Sequence, residues 1–169
     1  MRQFFSYGET VMAMTRRQLR EHIFRLLFNL DFYESAEDDE QIGLYFMEPD
    51  EGTSDYTIRF EKDEENLLSE HVSEEDREYI KSKLQAVVEK IPEIDRELNR
   101  VAKGWRTARM PRADLSILRL AFYEIRYDDN VPASVAINEA VELAKIYGTD
   151  GSYAFINGIL ARFAPELEA

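Results

Sequence analysis

Residues 111–148 read PRADLSILRLAFYEIRYDDNVPASVAINEAVELAKIYG. Leu115, Leu118, Ala121, Phe122 and Ile125 recur at intervals of three and four, the spacing of one face of an α-helix. Ile117 and Leu120 widen that face so far that the segment is expected at the centre of a core. Pro111 opens it and Asp128-Asp129-Asn130 ends it. Pro132 suits the first turn of another helix, which runs to Tyr147 and stops at Gly148. Ala133, Ala136, Ala140 and Ala144 give that helix a smooth face for close packing. Asp150 or Ser152 can cap a last helix, Tyr153 to Phe163, which Pro165 is expected to close.

The same period extends upstream. Ser73-Glu74-Glu75-Asp76 has the form of a capping box, and Ile80, Leu84, Val87, Val88 and Ile91 follow at helical spacing. Pro92 is expected to break or kink this helix, because proline lacks the N–H that the i→i−4 ladder needs. Ile94, Leu98, Val101 and Trp105 carry the period on, and Gly104 marks an ending. A first helix starts near Thr15, with Leu19, Ile23, Leu26, Leu27 and Leu30 on its apolar face. Between these helices the signal fades. Residues 34–41 are acidic, residues 42–47 form a short apolar stretch, and residues 48–66 read as a surface excursion. Within that excursion Thr57 to Phe60 has strand character but no obvious partner.

These readings define an all-α chain, a compact helical bundle. Gly (7) and Pro (5) are too scarce for a sandwich or barrel of many turns. The expected organisation is a flexible leader at 1–14, one helical domain at 15–163 and a tail at 164–169. The domain comprises two packed subdomains, about 15–70 and about 71–163. No apolar run approaches the roughly 20 residues of a membrane span, and Ser6 to Glu9 interrupt any signal-peptide core. A cytoplasmic location and no membrane partner are expected.

The composition narrows the chemistry. With no Cys and two His, thiol catalysis and the common zinc sites are excluded as expectations. No Gly-rich phosphate loop or nucleophile elbow is present, and Glu139 and Glu142 lack a His to complete a di-metal pattern. No catalytic residue, metal or cofactor is assigned, and an enzyme is not expected. The net charge of −13 argues against phosphate binding until it is mapped. Residues 31–78 hold 19 acidic against three basic residues, whereas residues 1–30 hold five basic against two acidic and residues 99–119 six against one. Arg16, Arg17 and Arg20 crowd a helix start, where the dipole prefers anions. They read either as solvated or paired surface, Arg17 with Glu21, or as phosphate contacts. Arg100, Lys103, Arg106, Arg109 and Arg112 either extend a nucleic-acid surface or offset the acidic block. Asn138 and Asn157 read as amides that hold helices or loops in place when buried.

The stretch Leu118-Arg-Leu-Ala-Phe-Tyr-Glu-Ile125, then Val131-Pro-Ala-Ser-Val-Ala-Ile-Asn-Glu-Ala-Val-Glu-Leu-Ala-Lys145, Tyr147-Gly148 and Ser152-Tyr-Ala-Phe-Ile-Asn-Gly-Ile-Leu160 resembles the NusB family of transcription antitermination factors. The match runs from about Asp114 to Leu160 and includes the Arg-rich helix at 16–30. Residues 35–73 do not match clearly, as an insertion there would explain. A related helical domain precedes a long catalytic domain in some RNA methyltransferases, but this sequence ends six residues after Phe163, so the stand-alone factor is expected.

The resemblance implies two packed helical subdomains and an antitermination or elongation function. In that function the protein binds boxA-type single-stranded RNA together with NusE, a small-subunit ribosomal protein, and acts on RNA polymerase at ribosomal RNA operons. It also implies a homodimer in some members. By the same resemblance Arg16, Arg17, Arg20, Tyr147 and Phe155 fall at RNA-contacting positions, and Phe28 and Asp114 at the NusE contact. Phe28 stands at a family tyrosine and Ala154 at a family lysine, which removes one hydroxyl and one phosphate contact. The competing reading is a helical protein–protein adaptor that has lost RNA binding, which the net charge and Ala154 suit. For Tyr147 and Phe155 core packing is the alternative role. For Asp114 the alternative is a dipole contact in a first helical turn.

Overall fold

A computed structural model describes residues 14–30, 56–61 and 67–168. Five helices follow in chain order among them: α1 (Arg16–Leu30), α2 (Glu74–Val101), α3 (Arg112–Tyr127), α4 (Ala133–Tyr147) and α5 (Ser152–Glu168). A hairpin of β1 (Tyr56–Glu61) and β2 (Leu67–Val72) precedes α2. The class is all-α with this hairpin appended. The apolar stretch at 42–47 and the acidic segment at 34–41 lie outside the described residues, as does the leader up to residue 13.

The hairpin corrects one expectation. Thr57 to Phe60 does have a partner: β1 runs antiparallel to β2, from Tyr56 opposite Val72 to Glu61 opposite Leu67. The partner strand, LLSEHV, has no clean alternation of apolar and polar residues, so its period did not announce it.

The chain divides into two compact units inside α2, residues 1–84 and 85–169. In the first unit α1 opens with a reciprocal box. The Gln18 N–H donates to Thr15 Oγ1 at 3.1 Å, and the Thr15 N–H donates to Gln18 Oε1 at 2.8 Å. At the head of α2 the Asp76 N–H donates to Ser73 Oγ at 3.1 Å. Asp76 then turns its own carboxylate to the Met14 N–H, at 3.0 Å, which ties the entry of α1 to the start of α2.

Two further expectations about helix limits change. Pro92 lies inside α2 without breaking it. Ile80, Leu84, Val87, Ile94, Leu98 and Val101 are all buried on both sides of the proline, and packing of that continuous face outweighs one missing backbone bond. Pro165 likewise lies within α5 and does not close it.

In the second unit α3, α4 and α5 pack on one another. The α3 face is buried as its period implied, with Leu115, Ile117, Leu118, Leu120, Ala121 and Phe122 nearly inaccessible. Phe122 stacks on Phe163 of α5, ring centroids 3.7 Å apart. Pro111 and Pro132 cap α3 and α4. Gly148 ends α4, but its φ of −84° needs no glycine. Space does: a Cβ there would come within 2.5 Å of Ser152 Cβ and 2.6 Å of the Ala144 carbonyl oxygen.

Candidate functional site

The sequence-derived site residues divide between the two units. Arg16, Arg17, Arg20 and Phe28 belong to the first, and Asp114, Tyr147 and Phe155 to the second. Arg16 and Arg17 stand exposed in the first turn of α1. Arg20 does not join them at the surface: it is only 7% exposed. It lies three, four and seven residues before Ile23, Phe24 and Leu27, all buried, and so shares their face, where its long apolar stem can pack. Glu21 pairs with Arg25 at 3.3 Å. Phe28 is half-buried, its ring tilted against Phe24 at 6.2 Å.

Asp114 is buried, being 3% exposed. Burial pushes its carboxyl group above the usual value, and a hydrogen bond from the Ser152 hydroxyl partly opposes this. The same Ser152 oxygen accepts the Thr149 N–H at 2.9 Å. Asp114 thus supports the turn that joins α4 to α5, and Ser152, close against Gly148, is its link. Its Oδ1 has no hydrogen-bond partner among the described residues.

Phe155 is half-buried on α5 and meets Trp105, whose spacing continues the apolar period of α2. The helical period of α2 holds as far as Val101. Lys103 at φ 36° and Gly104 at φ 92° then swing the backbone out of the helix. Trp105 therefore leaves the apolar face and is 53% exposed. Its indole meets the Phe155 ring edge-on, centroids 5.4 Å apart and planes at 70°. The signal was present in Gly104, whose stop takes effect before Trp105.

Two depressions flank α5. The smaller, about 220 Å³, is lined by Lys103, Trp105, Phe155 and Arg162 among others. The larger, about 690 Å³, lies between α4 and α5, with Ile137, Asn138, Val141, Lys145, Tyr153 and Asn157 on its walls. Ala154 and Gly158 belong to both. Asn138 and Asn157 are exposed here, so the burial under which they would fasten helices is not met. Tyr147 is half-buried and lines neither depression. Of the basic run, Arg100 pairs with Glu97 of its own helix at 2.8 Å. Lys103, Arg106 and Arg109 are exposed, and no ion pair joins them to a described carboxylate.

An all-α fold carrying exposed cations and aromatic rings around shallow depressions defines a helical binding protein. Comparison with known proteins narrows the class. A model of the NusB family matches residues 17–165. The transcription antitermination protein NusB of Lachnoclostridium phytofermentans is 44% identical over 149 residues, covering 88% of this chain and 98% of the relative. That of Agathobacter rectalis is 42% identical over 151 residues, covering 89% and 100%. The solved structure of T. maritima NusB superimposes with a TM-score of 0.69 at 29% identity, covering 92% of this chain and 94% of that one. The chain belongs to the NusB family. Among the described residues no helix is long and apolar enough to cross a membrane.

Proposed function

We propose that this protein is a transcription antitermination factor that binds boxA-type single-stranded RNA together with NusE. The pair acts on RNA polymerase transcribing ribosomal RNA operons. The observation that carries the RNA-binding part is the pair Arg16 and Arg17, exposed in the first turn of α1, where the helix dipole disfavours cations. A phosphate group nearby reverses that penalty. Arg20 contributes from the buried face beneath them, and Phe155 and Tyr147 offer rings to unpaired bases. Phe28 serves as a NusE contact. Asp114 acts at the NusE contact as well, through the turn it holds. A homodimer covering the RNA surface is the resting form this scheme allows.

The overall charge of −13 gives the scheme an order. The free chain repels phosphate at long range, so a basic partner docks first and the pair then presents a cationic path. Binding of fluorescently labelled boxA-type RNA across a salt series, with and without NusE, tests this. Tight, strongly salt-dependent binding is expected only for the pair. Equal affinity of the free chain would overturn the order, and no binding in either case would overturn RNA recognition. That second result favours the adaptor reading, which rests on the net charge and on Ala154, an exposed position without a cation.

A further inference from the structure

Resting on the RNA-binding reading above, we infer that Trp105 is the stacking platform of a one-base pocket, in which a single unpaired base of the RNA lies against the indole beside Phe155.

Four observations converge on it. Trp105 is 53% exposed, whereas Val101, Ile159 and Phe163 of the same unit are buried. Leaving so much indole in water is unfavourable unless something covers it. The backbone that carries the ring is also held. Behind it Arg162 Nη1 donates to the Val101 carbonyl at 3.3 Å, and ahead of it the Thr107 N–H donates to Asn99 Oδ1 at 2.8 Å. The segment bearing Trp105 is therefore pinned on both sides, and its order does not have to be acquired on binding.

The geometry suits a flat ligand. With planes at 70°, a base stacked on the face of Trp105 meets the Phe155 ring at its edge, a favoured aromatic arrangement. The depression of about 220 Å³ is smaller than the roughly 300–1,000 Å³ of ordinary small-molecule sites, and far too small for a helix or strand of a partner. The charge is right for a nucleotide. Lys103 and Arg162 are on the wall and Arg106 is exposed next to Trp105, so a phosphate on either side of the base meets a cation. Ala154 and Gly158 keep the floor low.

Trp105 is the only tryptophan in the chain, so it reports on itself. The test uses the full chain grown with 5-fluorotryptophan, which has a single ¹⁹F resonance, and an unlabelled NusE partner. It is titrated with a boxA-type single-stranded RNA, while the anisotropy of end-labelled RNA gives the affinity independently. The resonance is expected to shift in step with RNA saturation. Trp105→Ala should weaken RNA binding about tenfold, and Trp105→Phe, which keeps an aromatic face, should recover most of it. Thermal melts of both variants establish that they fold.

Three results would overturn the inference. RNA could bind as judged by anisotropy while the resonance stays put and Trp105→Ala binds normally, in which case RNA recognition stands without Trp105. The resonance could move on adding NusE and not on adding RNA, which makes Trp105 a protein contact. RNA could fail to bind with or without NusE, in which case the underlying reading falls and this one with it.

Discussion

Arg119 of α3 holds Asp95 of α2 by two parallel hydrogen bonds, Nε to Oδ1 at 2.9 Å and Nη2 to Oδ2 at 2.8 Å. Both residues lie in the second unit, and the arginine is nearly inaccessible. Such a fork fixes the register of α3 on α2 more sharply than apolar contact can. Arg119→Ala leaves a partly buried carboxylate unpaired and is expected to cost roughly 2–4 kcal/mol. Asp95→Asn keeps one acceptor and should cost about 1–2 kcal/mol. Urea unfolding of both variants checks the order. Equal, negligible losses would show that the pair adds specificity without stability.

Asp114 makes stability depend on pH in an unusual direction for an acid. Burial raises its folded-state pKa above the ordinary 3.8, so near that pH the folded chain binds more protons than the unfolded one. Its contribution is complete below 3.8 and is lost as the pH rises through the higher folded value. Asp114→Asn, always neutral, should therefore melt above the wild type at pH 7, and the advantage should shrink toward pH 4. A difference that stays constant across this range would show that burial of the charge is not the cause.

Gly148 is required by space. A methyl group there would collide with Ser152 Cβ and the Ala144 carbonyl, both backbone-fixed or nearly so. Gly148→Ala should destabilise by about 1–3 kcal/mol. Ser152→Ala does not relieve the clash, because Cβ remains, but it removes the hydroxyl that Asp114 and the Thr149 N–H share. The double variant should be worse than either single change when measured by thermal melting.

Arg16, Arg17 and Arg20 separate in their expected effects. Changing Arg16 and Arg17 to Glu should leave the melting temperature nearly unchanged and abolish RNA binding by the NusE pair. Changing either one alone to Ala should lower the salt slope by about 1. Arg20→Glu places a carboxylate on a buried face and should destabilise the fold itself. If Arg20→Glu melted normally while the other pair did not, the assignment of surface and buried arginine would be reversed.

Much of the fold was legible wherever a long apolar period ran unbroken. The α3 face from Leu115 to Phe122, the caps at Thr15 and Ser73, and the proline starts of α3 and α4 are local signals, and local structure follows them. The misses have separate physical origins. Pro92 carries a local helix penalty of about 3 kcal/mol that tertiary packing outweighs, and no single-residue rule contains that packing. The β2 strand has no period to see. Arg20 was grouped with its neighbours by charge, although its spacing to Ile23 and Leu27 already put it on the apolar side. The spacing of Trp105 from Val101 fits a helix and carries the apolar period on to it. A two-residue turn at Lys103 and Gly104 removed it from that helix, and with it the second aromatic ring of the candidate site escaped the sequence reading.

Gly158 sits in the middle of α5, where glycine costs about 1 kcal/mol relative to alanine. Nothing crowds it, for an added Cβ would meet no atom within 4 Å. A search for thermostable variants would therefore select Gly158→Ala early. Such a variant would fill the strip of low ground on which both depressions border, and a hardier protein would emerge with a shallower surface. The missing methyl is a concession in heat tolerance, and its location is a guide to where engineers of this protein should leave the backbone bare.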